Sequence, residues 1–147
     1  MKLLDMDETI VIVTGSGEGA IERDRPLALW LQAEIGRRGE GHTYRRAVVT
    51  DDAWYLESGA LHQHPTIAIG GPGVNEVSQE LAPLLQTVFN DDEKSFVQAD
   101  FEGELKRVAL WGADAASTSA AVDAFVVHGY LDDLLKRIWR FRTEMTV

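Results

Sequence analysis

The sequence predicts an α/β fold: a three-layer sandwich built on a mostly parallel sheet, with an antiparallel hairpin at one edge. Three observations predict it. Short β-branched or apolar runs alternate with helical stripes along the 147 residues, the order that builds a parallel sheet covered on both faces. One unit, a strand followed by a glycine loop and a helix, recurs at residues 13–19, 69–73 and 110–114. The composition, 45% hydrophobic and 26% charged, is that of a globular chain rather than a disordered one. No fixed-length repeat, linker or low-complexity tract divides the chain. Residues 1–147 therefore read as a single α/β domain, with four Trp, five Phe and three Tyr to fill its core.

The elements follow in order. TIVIV, residues 9–13, is a β-branched run ending in TGSGEG, which reads as a buried strand entering a glycine loop. In DRPLALWLQAEIGRRG, Asp24 is placed to cap a helix and Pro26 suits its first turn. Leu27, Trp30, Leu31 and Ile35 share a face, and Gly39 follows two arginines that suit a helix C-terminus. YRRAVVT, residues 44–50, reads as the second strand. Residues 53–65 hold either a short helix or a loop.

Residues 66–70 form the third strand, then GGPG turns the chain into a helix over 74–82 that Pro83 ends. NDDEK, residues 90–94, is a polar loop. Residues 95–101 and 105–111 are two strands joined at Glu102 and Gly103, the predicted hairpin. A helix over 116–127 stops at Gly129. The last helix carries Leu131, Leu134, Leu135, Ile138 and Trp139 at i, i+3, i+4, i+7 and i+8, the clearest amphipathic pattern in the chain.

Charge and composition exclude several functions. The formal net charge is −10. Residues 51–104 hold eleven acids and one base, Lys94, so a phosphate-backbone groove is not expected there and nucleic acid is not an expected partner. Zero cysteine excludes disulfides, a thiol nucleophile and thiolate-bound metals, and fits a reducing cytoplasm. MKLLDMDETI lacks a signal peptide's apolar stretch because Asp5, Asp7 and Glu8 interrupt it. No apolar run reaches the ~18 residues of a membrane helix. The expected protein is soluble, acidic and cytoplasmic, with no membrane partner.

Ligands of open α/β sheets sit beyond the carboxyl ends of the strands. If the strands are parallel, all three glycine loops meet at that edge, where helix N-termini turn free N–H groups outward. The candidate ligand-binding residues are Gly15, Ser16 and Gly17 in the first loop, and Gly70, Gly71, Gly73 and Asn75 in the second. Gly112, Asp114 and Thr118 come from the third. A small anionic or polar molecule is the expected ligand, although Glu18 and Glu22 put negative charge where phosphates would rest. The loops contain no GK[ST], so none is a Walker loop. The alternative reading is turn geometry, with glycine supplying positive φ or close packing.

Asp51 and Asp52 follow the second strand and would reach the same edge, where paired carboxylates could hold a divalent cation. His62 and His64 form H-x-H, which on a strand puts both rings on one face and could hold a transition metal. Ser117, Thr118 and Ser119 read as helix-start caps rather than nucleophiles. Trp30, Trp111 and Trp139 read as core, and Trp54 as exposed. The sequence names no cofactor and assembles no complete catalytic set.

GGPGVN at 70–75 is similar to the GGP-x-x-N loop of archaeal-type S-layer modules, and Gly112, Thr118 and Ala121 repeat the spacing of their later glycine, Thr and Ala. Bacterial cell-wall-binding repeats look similar in the same two places. The resemblance covers residues 66–125. It implies a strand–loop–helix module with an assembly or surface-binding role, in which Gly70, Gly71, Pro72, Asn75, Gly112, Thr118 and Ala121 are turn and cap positions. VIVTGSGEGAIERDRPLALWL resembles the opening of Rossmann-like nucleotide-processing families, which implies a nucleotide at the first strand end.

Two functions follow as expectations. The first is a non-enzymatic module that binds a small ligand or itself, the last helix being one face available for a homo-oligomer, though covering its own sheet is the first use of that stripe. The alternative is a nucleotide- or sugar-phosphate-processing enzyme or sensor of Rossmann-like type, with Asp51 or Asp52 holding a cation.

Overall fold

The computed structural model describes residues 8–145, with side chains described as far as Trp139. Six strands, β1 (Ile10–Thr14), β2 (Ala47–Asp51), β3 (Thr66–Ile69), β4 (Gln86–Asp91), β5 (Ser95–Asp100) and β6 (Arg107–Gly112), form one sheet in the order β2-β1-β3-β6-β5-β4. Strands β2, β1, β3 and β6 are parallel, and β5 and β4 continue the sheet antiparallel. This is the expected α/β sandwich with an antiparallel edge. Going from β1 to β2 the chain steps one way, and from β2 to β3 it steps back past β1. The topological switch point therefore lies between β1 and β3, where such sheets open a crevice.

Side-chain alternation along β1 explains the layers. Ile10 and Ile12 face one side and join the larger core, beneath α2 (Arg25–Arg38), α5 (Ala115–Val127) and α6 (Tyr130–Met145). Val11 and Val13 face the other side, beneath α3 (Asp52–Glu57) and α4 (Glu76–Leu81). Successive strand residues point to opposite faces, so a strand buried on both faces must be apolar at every position. TIVIV and TIAI meet that demand. Leu131, Leu134, Leu135 and Trp139 of α6 are all buried in the larger core, so the amphipathic stripe covers the chain's own sheet. Burying each such side chain contributes ~1.5–3 kcal/mol.

Several sequence expectations are corrected. GEGAIER is not all loop: a short helix, α1 (Glu18–Arg23), starts within it. Asp24 does not cap α2. Its backbone is helical and its side chain makes no cap hydrogen bond, because α1 runs almost directly into α2 and Pro26 only removes one donor at the junction. Trp30 is exposed, while Ala28, Leu31 and Ile35 form the buried face. Trp111 is half-buried rather than core, Trp139 is core, and Trp54 is exposed as expected. Residues 53–65 hold α3 and a 3-10 turn at Gly59–Gln63.

Strand β4 escaped the pattern altogether. It is an edge strand, exposed at every position except the half-buried Phe89, so it shows no apolar alternation. Its turn into β5 lacks the usual Asn-Gly signal. Asp92 and Glu93 both adopt positive φ, 55° and 56°, with Asn90 Oδ1 accepting from the Glu93 N–H. A glycine there avoids the left-handed cost. Glu93→Gly is accordingly expected to stabilise the fold by ~0.5–1 kcal/mol in chemical denaturation, and a loss of stability would contradict this account of the turn.

Candidate functional site

The three glycine loops meet at the carboxyl edge of β1, β3 and β6, which are neighbours in the sheet. They touch in sequence. A Cβ on Gly15 would lie 1.9 Å from the Val74 carbonyl oxygen, so the first loop packs directly on the second. A Cβ on Gly71 would contact Trp111 at 3.6 Å, bringing the second loop against the third. A Cβ on Gly112 would fall 2.4 Å from Ser117 Cβ and 2.7 Å from the Thr118 nitrogen, within the first turn of α5. Only Gly70 has positive φ, at +113°. Close approach, more than left-handed backbone, is what these loops require of glycine. Gly112→Ala is expected to force α5 off the sheet and cost ~1–3 kcal/mol, as overpacking does. A melting temperature equal to wild type would refute the close-packing reading.

Asn75 holds the switch point closed. Its Nδ2 donates to the carbonyls of Val13 (3.0 Å) and Ile69 (2.9 Å), the ends of β1 and β3. Its Oδ1 caps α4, accepting from the N–H groups of Val77 and Ser78. The side chain is 1% exposed, and both donors are engaged by protein. In the third loop, Thr118 Oγ1 accepts from the Gly112 N–H and Asp114 Oδ1 caps α5 through the Ser117 N–H. That N–H lowers the Asp114 pKa from the ordinary carboxylate value. Thr118 thus bridges the third loop to β6, and Asn75 caps α4.

Two grooves open at this edge. One, of about 320 Å³, lies between the second and third loops and is lined by Gly71, Gly73, Gly112, Asp114 and Thr118 together with Arg23, Asp24 and Trp111. The other, about 620 Å³, lies between the first two loops and includes Ser16, Gly17, Gly73, Asn75 and Asp52, again with Arg23. Gly15 and Gly70 lie beneath the grooves, as packing residues.

The metal candidates separate. Asp51 Oδ1 accepts from the Trp54 N–H, the cap of α3. Asp52 is buried, and its two oxygens accept from the N–H groups of Ala53 and Glu76. His62 lies in the 3-10 turn and not on a strand, its Nε2 paired with the Tyr55 carbonyl at 2.8 Å and its ring against Tyr55. His64, buried, pairs through Nδ1 with the Thr9 carbonyl. The histidines sit at the amino end of β3 and the aspartates at the carboxyl end of β2, so the strand geometry behind H-x-H does not arise. Among the described residues, no three His, Asp or Glu side chains gather to hold a metal.

The residues that sequence reasoning passed over are Asp24, Arg23 and Trp111. Asp24 is 5% exposed. Its Oδ2 stands 2.7 Å from where a Cβ on Gly70 would lie, over the end of β3. Among the described residues its carboxylate accepts no hydrogen bond. Burial raises its pKa from the ordinary value, against the pull of Arg23. Trp111 is held in place by Nε1 donating to Gln98 Oε1 at 2.7 Å and by stacking on Phe96 at 4.4 Å. Asp24 went unrecognised because an Asp ahead of a helical stripe reads as a cap, and only the packing shows that the side chain turns the other way.

A native carboxyl with a raised pKa binds protons that the unfolded chain does not over the interval between the two values. Stability therefore falls as pH rises through that interval. Asp24→Asn is expected to raise Tm at neutral pH by ~2–4 °C, the shift that about 1 kcal/mol produces at this size. The gain should vanish below the ordinary Asp range. A destabilised variant at pH 7 would mean that Asp24 has a partner.

No family model matches the chain, and no curated protein matches it in sequence. Among the described residues, no helix is long and apolar enough to cross a membrane.

Proposed function

We propose that the chain is a non-enzymatic binding module that takes a small polar ligand into the groove between its second and third glycine loops. The observation that carries this reading is Asp24, a largely buried residue whose carboxylate opens on the groove and accepts no hydrogen bond among the described residues. A buried charge without a partner is costly, and a ligand that supplies donors removes that cost. The hydroxyl and carboxylates of Thr118, Asp51 and Asp52 already serve backbone N–H groups, which favours binding over catalysis. A soluble, cytoplasmic setting goes with this reading, supported by the acidic composition and absence of cysteine.

The alternative, a nucleotide- or sugar-phosphate-processing enzyme or sensor, draws its support from α5, whose N-terminus opens at the same groove. Asp114 and Asp24 oppose it by placing two carboxylates where a phosphate would sit. A melting screen over nucleotides, sugar phosphates, divalent cations and small amines tests both readings, because a ligand that binds the native state raises Tm by mass action. Gly71→Leu fills the groove without a backbone clash and should abolish any rise. If no compound raises Tm, the binding reading falls.

A further inference from the structure

We propose that the groove between the second and third loops is an organic-cation site. Asp24 would pair with an amidinium or guanidinium group, and the fixed indole of Trp111 would form the wall beside it. This rests on the binding reading above and names the ligand class.

Three features support it. Asp24 is 5% exposed and accepts no hydrogen bond among the described residues. A carboxylate offers acceptor positions only, so its missing partner must be a donor. A planar group with two parallel N–H donors meets both oxygens at once. Next, Trp111 lines the same groove, and its orientation is set from behind by Gln98 and Phe96. An indole face attracts cations, most strongly where water is excluded. The third feature is charge. The charged side chains lining the groove are Asp24 at the start of α2, Asp114 at the start of α5 and Arg23 at the end of α1; the loop after β3 contributes none. Two acids against one base disfavour an anion. Arg23 is tethered through Nε to the Gly19 carbonyl at 3.1 Å, which leaves Asp24 for the ligand.

A cation held by Asp24 binds the ionised carboxylate and displaces its proton. Affinity therefore rises with pH through the Asp24 titration, while Asp114, whose pKa is lowered by the Ser117 N–H, titrates below it.

Benzamidine is the probe, with benzamide as its neutral isostere and inorganic pyrophosphate as the anion. Titration calorimetry and melting on the intact chain should show benzamidine binding about tenfold or more tightly than benzamide, the minimum expected for one desolvated charge pair. Its affinity should rise from pH 4.5 to 7. Asp24→Asn, which is expected to fold at least as well as wild type, should lose that tenfold preference and the pH dependence together. Trp111→Leu should weaken benzamidine more than benzamide. Equal binding of benzamidine and benzamide, or an unchanged preference in Asp24→Asn, overturns the cation assignment. Pyrophosphate raising Tm while benzamidine does not would overturn it too, but would leave the groove a ligand site. Silence from every probe at 10 mM removes both readings.

Discussion

Asn75→Ala is expected to destabilise the protein by ~3–5 kcal/mol, a large share of what a domain of this size has to lose. The side chain makes four buried hydrogen bonds to backbone, two to the strand ends of β1 and β3 and two to the first turn of α4. Alanine removes at once the donor shared by the two strand-end carbonyls and the acceptor that caps α4. Asn75→Asp separates the two halves of the function. The new carboxylate can still cap α4, but it faces the Val13 and Ile69 carbonyls as a second acceptor. Burial and those carbonyls would raise its pKa. Protonated, it can donate to one of them, so this variant should regain stability as pH falls. Urea unfolding of both variants at pH 7 and pH 5 checks this. A cost below about 1 kcal/mol for Asn75→Ala would show that the switch point is held by packing alone.

The second large effect is expected at the opposite edge of the sheet. Arg45 precedes β2 and is buried, with Nε donating to Glu8 Oε2 at 3.0 Å and Nη2 donating to the Trp139 carbonyl at 2.7 Å. Trp139 Nε1 in turn donates to the Glu8 carbonyl at 2.9 Å. The start of the chain, the approach to β2 and α6 are thus joined by one polar cluster. Arg45→Ala should cost ~3–5 kcal/mol, because it removes a buried guanidinium that pairs with the Glu8 carboxylate and donates to the Trp139 carbonyl. Replacing both partners with apolar residues of similar volume, Glu8→Leu with Arg45→Met, should cost clearly less than the single change. The double-mutant cycle therefore has a sign that a simple loss of packing would not produce. If the double variant is as unstable as the sum of the singles, the ion pair is not what holds α6 down.

Much of the fold was legible in the sequence because its signals are local. The apolar runs of β1 and β3 are buried on both faces, and no arrangement of polar neighbours disguises them. The stripe of α6 repeats at the helical period over two full turns. The glycine loops were recognisable as turns between strand and helix, and their common edge follows from parallel pairing. Strand β4 was not legible, because an exposed edge strand needs neither apolar alternation nor an Asn-Gly turn. Its place comes from hydrogen bonding to β5, a partner that no local pattern announces.

The site divides along the same line. The sequence by itself determined the class of fold, the meeting of the glycine loops at the carboxyl edge and most of the loop residues that line the grooves. Tertiary structure alone decided which of those residues remain available to a ligand. It turned Asn75 and Thr118 inward as hydrogen-bond keystones, parted the histidines from the aspartates and brought Asp24 from the junction of two helices over the end of β3. The physical reason is that periodicity reports which face of an element is apolar, whereas the partner of a polar side chain depends on elements distant in the chain. Asp24 and Asn75 are both short polar residues ahead of a helix. The side chain of Asn75 is fully bonded, that of Asp24 accepts no hydrogen bond among the described residues, and only the packing of the loops around them makes that difference.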